Sequence, residues 1–245
     1  MGGANKYMYF GLTNIGNVRK RNEDYIEQYD FSEDVHLYVV LDGVGGNSSG
    51  DVASSVTGQK VLEYLKKNMD TNNVTESIIK EAVQYANKEV YNLSNSNREY
   101  RGMGTTISLL LLDKDVAYFL SVGDSRIYSI KEGLVQITED DTYINALLKD
   151  NIINKEEAEN HPQKHMLVNA IGINKNLQCS VFKRKVKPMD KFLLCTDGLT
   201  NMLDDKEIFS IITKSKKEKI CESLILMANK RGGADNISVM YVECE

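Results

Sequence analysis

Aspartates stand at the ends of several short apolar runs in this chain of 245 residues, and this pattern constrains the possible fold more than any other feature. The runs and their aspartates are 36–41 before Asp42, 116–123 before Asp124, 191–196 before Asp197, and 237–242 after Asp235. Each run has the length and apolar character of a buried β-strand. A single Asp42-Gly43 pair is most often an ordinary tight turn, because Asp bonds its own backbone and Gly tolerates a positive φ. The repetition at the ends of several strands favours a cluster of carboxylates.

Carboxylates that converge in this way cannot all stay ionised without a counter-charge. The cluster therefore indicates either raised pKa values or bound cations. A site built only from oxygen atoms is typical of Mg²⁺ or Mn²⁺. The sequence thus predicts a divalent-cation site at the ends of these strands.

The length of the chain predicts one domain over residues 1–245, with enough apolar residues for a proper core. Thirty basic residues against 35 acidic ones give a net charge of −5, and no basic run carries interleaved aromatics, so we expect no nucleic-acid partner.

The four cysteines are scattered without metal-ligand spacing, which favours reduced thiols and a cytoplasmic location. No apolar run approaches the ~20 residues of a membrane span, so we expect no membrane association.

Periodicity predicts an α+β chain that begins with antiparallel strands, continues through two helices into a strand meander, and ends with helices before a final strand. Strands are predicted at 7–13, 24–29, 36–41, 105–112, 116–122, 126–131, 135–138, 177–186, 191–196 and 237–242. Helices are predicted at 50–67, from a capping-box-like start at Asn73 and Glu76 to about residue 93, at 208–212 and at 220–228. Residues 139–172 are more polar and predict an excursion from the core with two short helices.

Two motifs indicate other chemistry and have to be weighed. Gly46-Asn47-Ser48-Ser49-Gly50 fits the pattern of a serine-hydrolase elbow, but a nucleophile elbow follows its strand directly, whereas six residues separate the 36–41 strand from Ser48. The same glycines match neither a P-loop nor a dinucleotide fingerprint. His161 and His165 stand four apart, yet Pro162 interrupts them and no third ligand has matching spacing, which favours a surface pair over a metal site.

Six ordered motifs together resemble a known family over essentially the whole chain. They are Arg19-x-x-x-Glu23-Asp24, Asp42-Gly43-Val44-Gly45-Gly46, Gly104-Thr105-Thr106, Val122-Gly123-Asp124-Ser125-Arg126, Thr196-Asp197-Gly198-Leu199 and Asp235-Asn236-Ile237-Ser238. This order is similar to that of the metal-dependent serine/threonine phosphatases of the protein phosphatase 2C type, in their bacterial branch. The resemblance implies an αββα sandwich of two antiparallel β-sheets flanked by helices, with residues of about 139–172 as a flap.

The resemblance also implies a set of metal ligands, with two core Mn²⁺ or Mg²⁺ ions and a possible third. Asp42 is expected to bridge the core ions, Glu23 and the Gly43 carbonyl to serve one, and Asp197 and Asp235 to serve the other. Asp24 is expected to act through a water molecule. Asp124 matches the residue that, with the equivalent of Asp197, holds a third and weaker metal in bacterial relatives.

The activity implied is hydrolysis of phosphoserine and phosphothreonine monoesters by water activated between two metals, so no protein nucleophile is needed. Arg19 and Asp42 are the expected catalytic residues, and Arg19 matches the arginine whose planar fork binds the substrate phosphate. Val44 stands where animal relatives have a histidine often assigned as general acid, and valine cannot donate a proton. The ligands are intact, which favours an active enzyme over a catalytically weak phosphoprotein-binding or sensor protein.

The expected partners are phosphorylated proteins and, by analogy with the family, a cognate bacterial serine/threonine kinase whose action the phosphatase opposes.

Overall fold

The computed structural model describes residues 7–45, 49–159 and 161–245, and in it two antiparallel β-sheets face each other. The strands are β1 Tyr7–Asn14, β2 Asp24–Asp30, β3 Val35–Val44, β4 Gly104–Thr105, β5 Ile107–Asp113, β6 Val116–Val122, β7 Arg126–Ile130, β8 Leu134–Gln136, β9 Val181–Lys185, β10 Lys191–Cys195 and β11 Ile237–Cys244. The first sheet has the order β1-β11-β10-β7-β8 and the second β2-β3-β5-β6-β9, with β4 paired to β3.

Helices cover both outer faces of the sandwich. The described helices are α1 Gly50–Asn68, α2 Glu76–Ser96, α3 Tyr143–Lys149, α4 Lys155–Glu159, α5 Asp197–Thr200, α6 Asp205–Lys214 and α7 Ile220–Lys230. Of these, α3 and α4 lie in the excursion between residues 139 and 172, and the others pack on the sheets. One apolar core packs α1 and α2 against the second sheet, another packs α5, α6 and α7 against the first, and a third fills the space between the sheets. This helix–sheet–sheet–helix arrangement confirms the predicted αββα sandwich.

Strand β3 shows why its apolar run is unbroken. Alternate residues of a strand point to opposite faces. Leu37, Val39 and Leu41 therefore enter the core beneath α1 and α2, whereas Tyr38 and Val40 enter the core between the sheets. A strand buried on both faces favours an unbroken apolar run. Packing on both faces of β3 therefore fixes the position of Asp42, which follows this run.

Three of the differences between the predicted and the observed bounds have a clear structural cause. The N-cap of α2 is Thr75, whose hydroxyl accepts a hydrogen bond from the Ile78 amide, and the predicted start at Asn73 is wrong. The strand predicted from residue 177 begins only at Val181, because Leu177 is used for core packing rather than for strand pairing. Helix α6 starts earlier than predicted, because Asp204 and Glu207 form a reciprocal capping box.

The excursion between residues 139 and 172 carries α3 and α4, as predicted. An isolated bridge between Thr142 and Leu167 joins the two ends of the excursion, and a second, from Thr105 to Ile171, ties it back to the sandwich. The excursion therefore returns beside β4, close to the end of β3. Within the described residues, no helix has the length and apolar character needed to cross a bilayer.

Candidate active site

The aspartates predicted from the strand ends lie around one cleft of about 300 Å³ at one end of the sandwich. Its lining includes Arg19, Glu23, Asp42, Gly43, Asp124, Asp197 and Asp235. The topology explains the convergence. Strands β10 and β11 are antiparallel neighbours, so the end of one and the start of the other meet at one edge. Strands β3 and β6 both pair antiparallel with β5, so their C-terminal ends also share an edge.

Asp42 is held from its backbone by the Gly104-Thr105-Thr106 motif. The Asp42 amide donates to the Thr106 hydroxyl at 2.9 Å. The Asp42 carbonyl accepts from the Thr105 hydroxyl at 2.8 Å and from the Thr106 amide at 2.9 Å. The backbone of Asp42 is thus fixed by three hydrogen bonds, and its side chain lines the cleft.

Two glycines permit backbone segments to approach more closely than any side chain would allow. A Cβ on Gly43 would lie 2.2 Å from the Gly50 carbonyl oxygen and 2.5 Å from that of Glu23. A Cβ on Gly198 would lie 1.9 Å from the Asn236 carbonyl oxygen. These contacts bring the start of α1 against β3, and the turn after Asp197 against the start of β11.

Asn236 fixes the loop that carries Arg19 and Glu23. Its Oδ1 accepts from the Glu23 amide at 2.8 Å, and its Nδ2 donates to the carbonyls of Ile15 and Arg21, each at 2.9 Å. One side chain therefore holds this loop to the residue that follows Asp235.

Arg19 occupies an unexpected position, because its Nη2 donates to Oδ2 of Asp235 at 2.7 Å. The sequence assigned Arg19 to substrate phosphate and Asp235 to a metal. Both residues line the predicted cleft, but here the guanidinium serves as the counter-charge of the carboxylate. A phosphate that binds Arg19, or a cation that binds Asp235, would have to compete with this ion pair.

Asp24 lies behind the other carboxylates and does not line the cleft. Its Oδ2 accepts from the hydroxyls of Thr196 at 3.0 Å and Ser238 at 2.7 Å. Its Oδ1 is buried without a hydrogen-bond partner. Asp24 is the partner of Asp42 in the pairing of β2 and β3. It therefore lies behind the residues that line the cleft, a position that suits contact with a bound cation through a water molecule.

The pKa values of the clustered carboxyls are raised, as expected for charges that crowd one another. Burial, with smaller contributions from Asp197 and Asp235, raises the pKa of Asp24 to about 7, although its two hydroxyl partners oppose the shift. Burial and the Asp197 charge raise the pKa of Asp124 to about 7. Burial and neighbouring carboxylates likewise raise the pKa of Asp42 well above its ordinary value. The positive charge of Arg19, which pairs with Asp235, does not balance the remaining carboxylates of the cluster.

The same residues fit divalent cations. Oδ1 of Asp24 and Oδ1 of Asp197 are both buried with no hydrogen-bond partner, which is costly for an acceptor unless a cation satisfies it. All the side chains in question offer hard oxygen ligands. Within the described residues, no three acidic, histidine or cysteine side chains already form a closed metal cage. Binding would therefore include local side-chain rotation, with release of Asp235 from Arg19 as one such change.

No described residue that lines the cleft has a hydroxyl or thiol that could act as a nucleophile. Val44 forms part of the wall in place of a proton donor. Ser48, the residue of the alternative elbow, lies outside the described residues. The cleft thus has the charge and the ligands for water-based chemistry, and its described lining offers no serine, threonine, tyrosine or cysteine for covalent catalysis.

Sequence reasoning missed two residues of this site. His165 was interpreted as half of a surface pair, and it is exposed, but it also lines the cleft. Its partner in that pair, His161, instead lies near the ring of Tyr143. Asn236 belongs to the last of the six motifs, yet its function as a clamp was not expected. Its position directly after a predicted ligand was the available signal.

A family model for protein phosphatase 2C matches residues 17–231. The chain is 34% identical over 236 residues to the serine/threonine phosphatase Stp of Listeria monocytogenes serotype 4b, covering 94% of this chain and 93% of that one.

Solved structures agree with this match. The fold superposes on the Mycobacterium tuberculosis serine/threonine phosphatase PstP/Ppp with a TM-score of 0.87 and 29% identity, over 98% of this chain and 99% of that one. It also superposes on the catalytic domain of the phosphatase PstP, solved in complex with two manganese ions, with a TM-score of 0.83 and 27% identity, over 97% of each chain.

Proposed function

The chain belongs to the protein phosphatase 2C family, and we propose that its carboxylate cleft performs the metal-dependent hydrolysis of phosphoserine and phosphothreonine in proteins. The enzyme is a protein serine/threonine phosphatase of bacterial type. The observation that supports this assignment of the cleft is the convergence of five acidic side chains, from separate segments, on a space whose described lining has no side-chain hydroxyl or thiol.

Divalent cations, when bound, supply Lewis acidity that polarises a phosphoryl group and activates water. We assign Asp42 as the ligand shared by two such ions, with Glu23 and the Gly43 carbonyl on one side and Asp197 and Asp235 on the other. Mn²⁺ and Mg²⁺ both suit these oxygen ligands. Asp124 and Asp197 are assigned to a third ion, and Asp24 to a contact through water.

Other side chains of the cleft are assigned to phosphate binding and to the positioning of its residues. We assign Arg19 to the substrate phosphate, because its planar fork can hold two phosphate oxygens once its contact with Asp235 is released. Asn236 keeps Arg19 and Glu23 at fixed positions by bonding the backbone of their loop. Val44 and Leu167 supply an apolar part of the cleft wall.

We further propose the biological setting. The substrates are proteins phosphorylated on serine or threonine, and a cognate serine/threonine kinase supplies them. A cytoplasmic location is supported by cysteines that lack the spacing of a disulfide framework. We also propose that residues 1–245 form one catalytic domain, with about 139–172 as its flap.

The test is turnover of a phosphothreonine peptide by the purified chain. Chelation should abolish activity, and added Mn²⁺ or Mg²⁺ should restore it. Asp42→Asn should be inactive at any Mn²⁺ concentration, while its metal-free form should be at least as stable as wild type, because one crowded charge is removed. Asp205→Asn, at an exposed aspartate of α6, is the matched control and should retain activity.

Activity that survives thorough chelation would contradict the proposal. A protein that binds phosphopeptides and Mn²⁺ but turns over neither peptide nor aryl phosphate would instead be the catalytically weak sensor considered from the sequence.

A further inference from the structure

A second cleft, of about 330 Å³, adjoins the catalytic cleft and is predominantly apolar. It is lined by Val44, His165, Leu167, Val168, Asn169, Ala170 and Ile173. Val44, His165 and Leu167 also line the catalytic cleft. The two spaces are therefore one continuous surface with an acidic part and an apolar part, and we call the second part the apolar subsite.

The floor of the apolar subsite is built on the strand that carries Asp42. Val44 pairs with Gly104 across β3 and β4. A Cβ on Gly104 would lie only 2.9 Å from Cδ1 of Ile173 and 2.9 Å from the Ile171 carbonyl oxygen. The absence of a side chain at Gly104 thus lets Ile173 lie directly over β4, beside Val44.

The segment that forms the outer wall is held firmly in place. The Ile171 amide and carbonyl bond the backbone of Thr105 at 2.9 and 3.1 Å. The Gly172 amide donates to Oδ1 of Asn87 at 2.9 Å. A wall fixed in this way is formed before a substrate arrives, so little conformational entropy is lost on binding.

The apolar subsite has two polar side chains, His165, which it shares with the catalytic cleft, and Asn169. The Asn169 side-chain amide is already donated to Oδ2 of Asp141 at 3.1 Å and to the Gln178 carbonyl at 2.9 Å. Val168 and Ile173 are 50% and 46% exposed, and neither belongs to one of the three apolar cores. Adjacent exposed aliphatic side chains beside a catalytic cleft are typical of a recognition surface.

We propose that the apolar subsite binds an aliphatic side chain of the substrate, one or two residues away from the phosphorylated serine or threonine. This inference rests on the proposed function of the neighbouring cleft. Val44 follows Asp42 by two strand positions, which is roughly 6–7 Å. Consecutive Cα atoms of a peptide are about 3.8 Å apart, so a neighbouring side chain spans that distance. An aliphatic occupant also suits a wall with no lysine or arginine.

The experiment uses pairs of phosphothreonine peptides that differ only in having Leu or Ser at one position. The two positions before and the two after the phosphothreonine are each tested, and kcat/KM is measured with Mn²⁺ present. We expect wild type to prefer Leu by about tenfold at one of these positions, the usual discrimination of a small apolar pocket. The ratio of kcat/KM for the Leu peptide to that for the Ser peptide is unaffected by a general change in activity. It therefore reports only on binding at the apolar subsite.

Ile173→Asn and Val168→Asn should bring that ratio close to one. Leu226→Asn is the matched control, because Leu226 is 54% exposed on α7, away from both clefts, and its substitution should leave the ratio at the wild-type value. Ratios near one at all four positions in wild type would overturn the proposal. So would a Leu preference that survives both subsite variants, or a dimer at assay concentration that buries Val168 and Ile173.

These failures are distinguishable from failure of the proposed function. If the chain hydrolyses a small aryl phosphate with Mn²⁺ but no phosphopeptide at all, the assignment as a protein phosphatase is wrong. If it hydrolyses Leu and Ser peptides equally, only the apolar subsite is wrong.

Discussion

Replacing Arg19 with alanine should change metal binding and substrate binding in opposite directions. The reason is the contact between Nη2 of Arg19 and Oδ2 of Asp235, at 2.7 Å. In the metal-free protein this contact stabilises a carboxylate that we assign to a cation. Removal of Arg19 frees that carboxylate for metal and, at the same time, removes the group assigned to phosphate.

The gain in metal affinity should be small. The side chains of Arg19 and Asp235 are 48% and 29% exposed, so water and salt screen their attraction. An ion pair of this kind contributes at most about 1 kcal/mol. The Kd for Mn²⁺ should therefore fall by about two- to fivefold in Arg19→Ala.

The loss in substrate binding should be larger. A charge-assisted hydrogen bond contributes about 1.5–3 kcal/mol, and the guanidinium fork can make two of them to a phosphate. KM for a phosphothreonine peptide should rise by about ten- to a hundredfold. If the contact strengthens as charge develops on the transferred phosphoryl group, kcat falls as well.

Calorimetric titration with Mn²⁺ and steady-state kinetics measure the two effects separately. Arg19→Lys keeps the charge but not the fork, so it should recover part of the substrate affinity. Arg21→Ala is the control, because the Arg21 backbone, not its side chain, is bonded by Asn236. Wild-type KM together with wild-type Mn²⁺ affinity in Arg19→Ala would refute the argument for this residue.

Three further predictions concern the carboxylates and Ser48. The folded, metal-free protein keeps protons on Asp24 and Asp124 up to a pKa of about 7, against 3.8 for an ordinary aspartate. The folded state thus binds more protons than the unfolded state across this window, so the free energy of unfolding should fall as pH rises from about 4 to about 7. Mn²⁺ should therefore raise Tm more at pH 8 than at pH 5 in thermal unfolding. Asp124→Ala should lose activity while calorimetry still counts two core metals, whereas Asp197→Ala should lose a core metal as well; loss of both core metals in Asp124→Ala would overturn its assignment. Ser48→Ala should keep near-wild-type kcat, since the nucleophile is water, and an inactive variant would favour the serine elbow.

The strand pattern was sufficient to predict the convergence of the aspartates, and the resemblance of the six ordered motifs to a known family implied the sandwich. A strand buried on both faces, such as β3, has a plain signal in an unbroken apolar run. An aspartate at the end of such a strand, as at Asp42 or Asp235, lies at the edge of the sheet where the strand ends. Antiparallel pairing then places the ends of several strands at the same edge. These features depend on local pattern and on few possible topologies.

Contacts between distant segments could not be predicted in this way. The clamp from Asn236 to Arg21 spans more than two hundred residues of sequence and depends on how a loop closes over β11. The pairing of Arg19 with Asp235 is set by charge balance in the cleft, and no periodicity encodes it. His165 reaches the cleft only because the excursion folds back through the Thr142–Leu167 bridge. Even the N-cap of α2 was misplaced by two residues, because Asn73 and Thr75 both suit a cap and only the backbone path distinguishes them.

The most direct test of the central claim is a crystal structure of the protein with Mn²⁺, recorded at a wavelength at which manganese scatters anomalously. The account predicts two strong anomalous peaks within the cleft. Asp42 should contact both, Glu23 and the Gly43 carbonyl should contact one, and Asp197 and Asp235 should contact the other, with Arg19 released from Asp235. An empty cleft at saturating Mn²⁺, or peaks held by other residues, would contradict it.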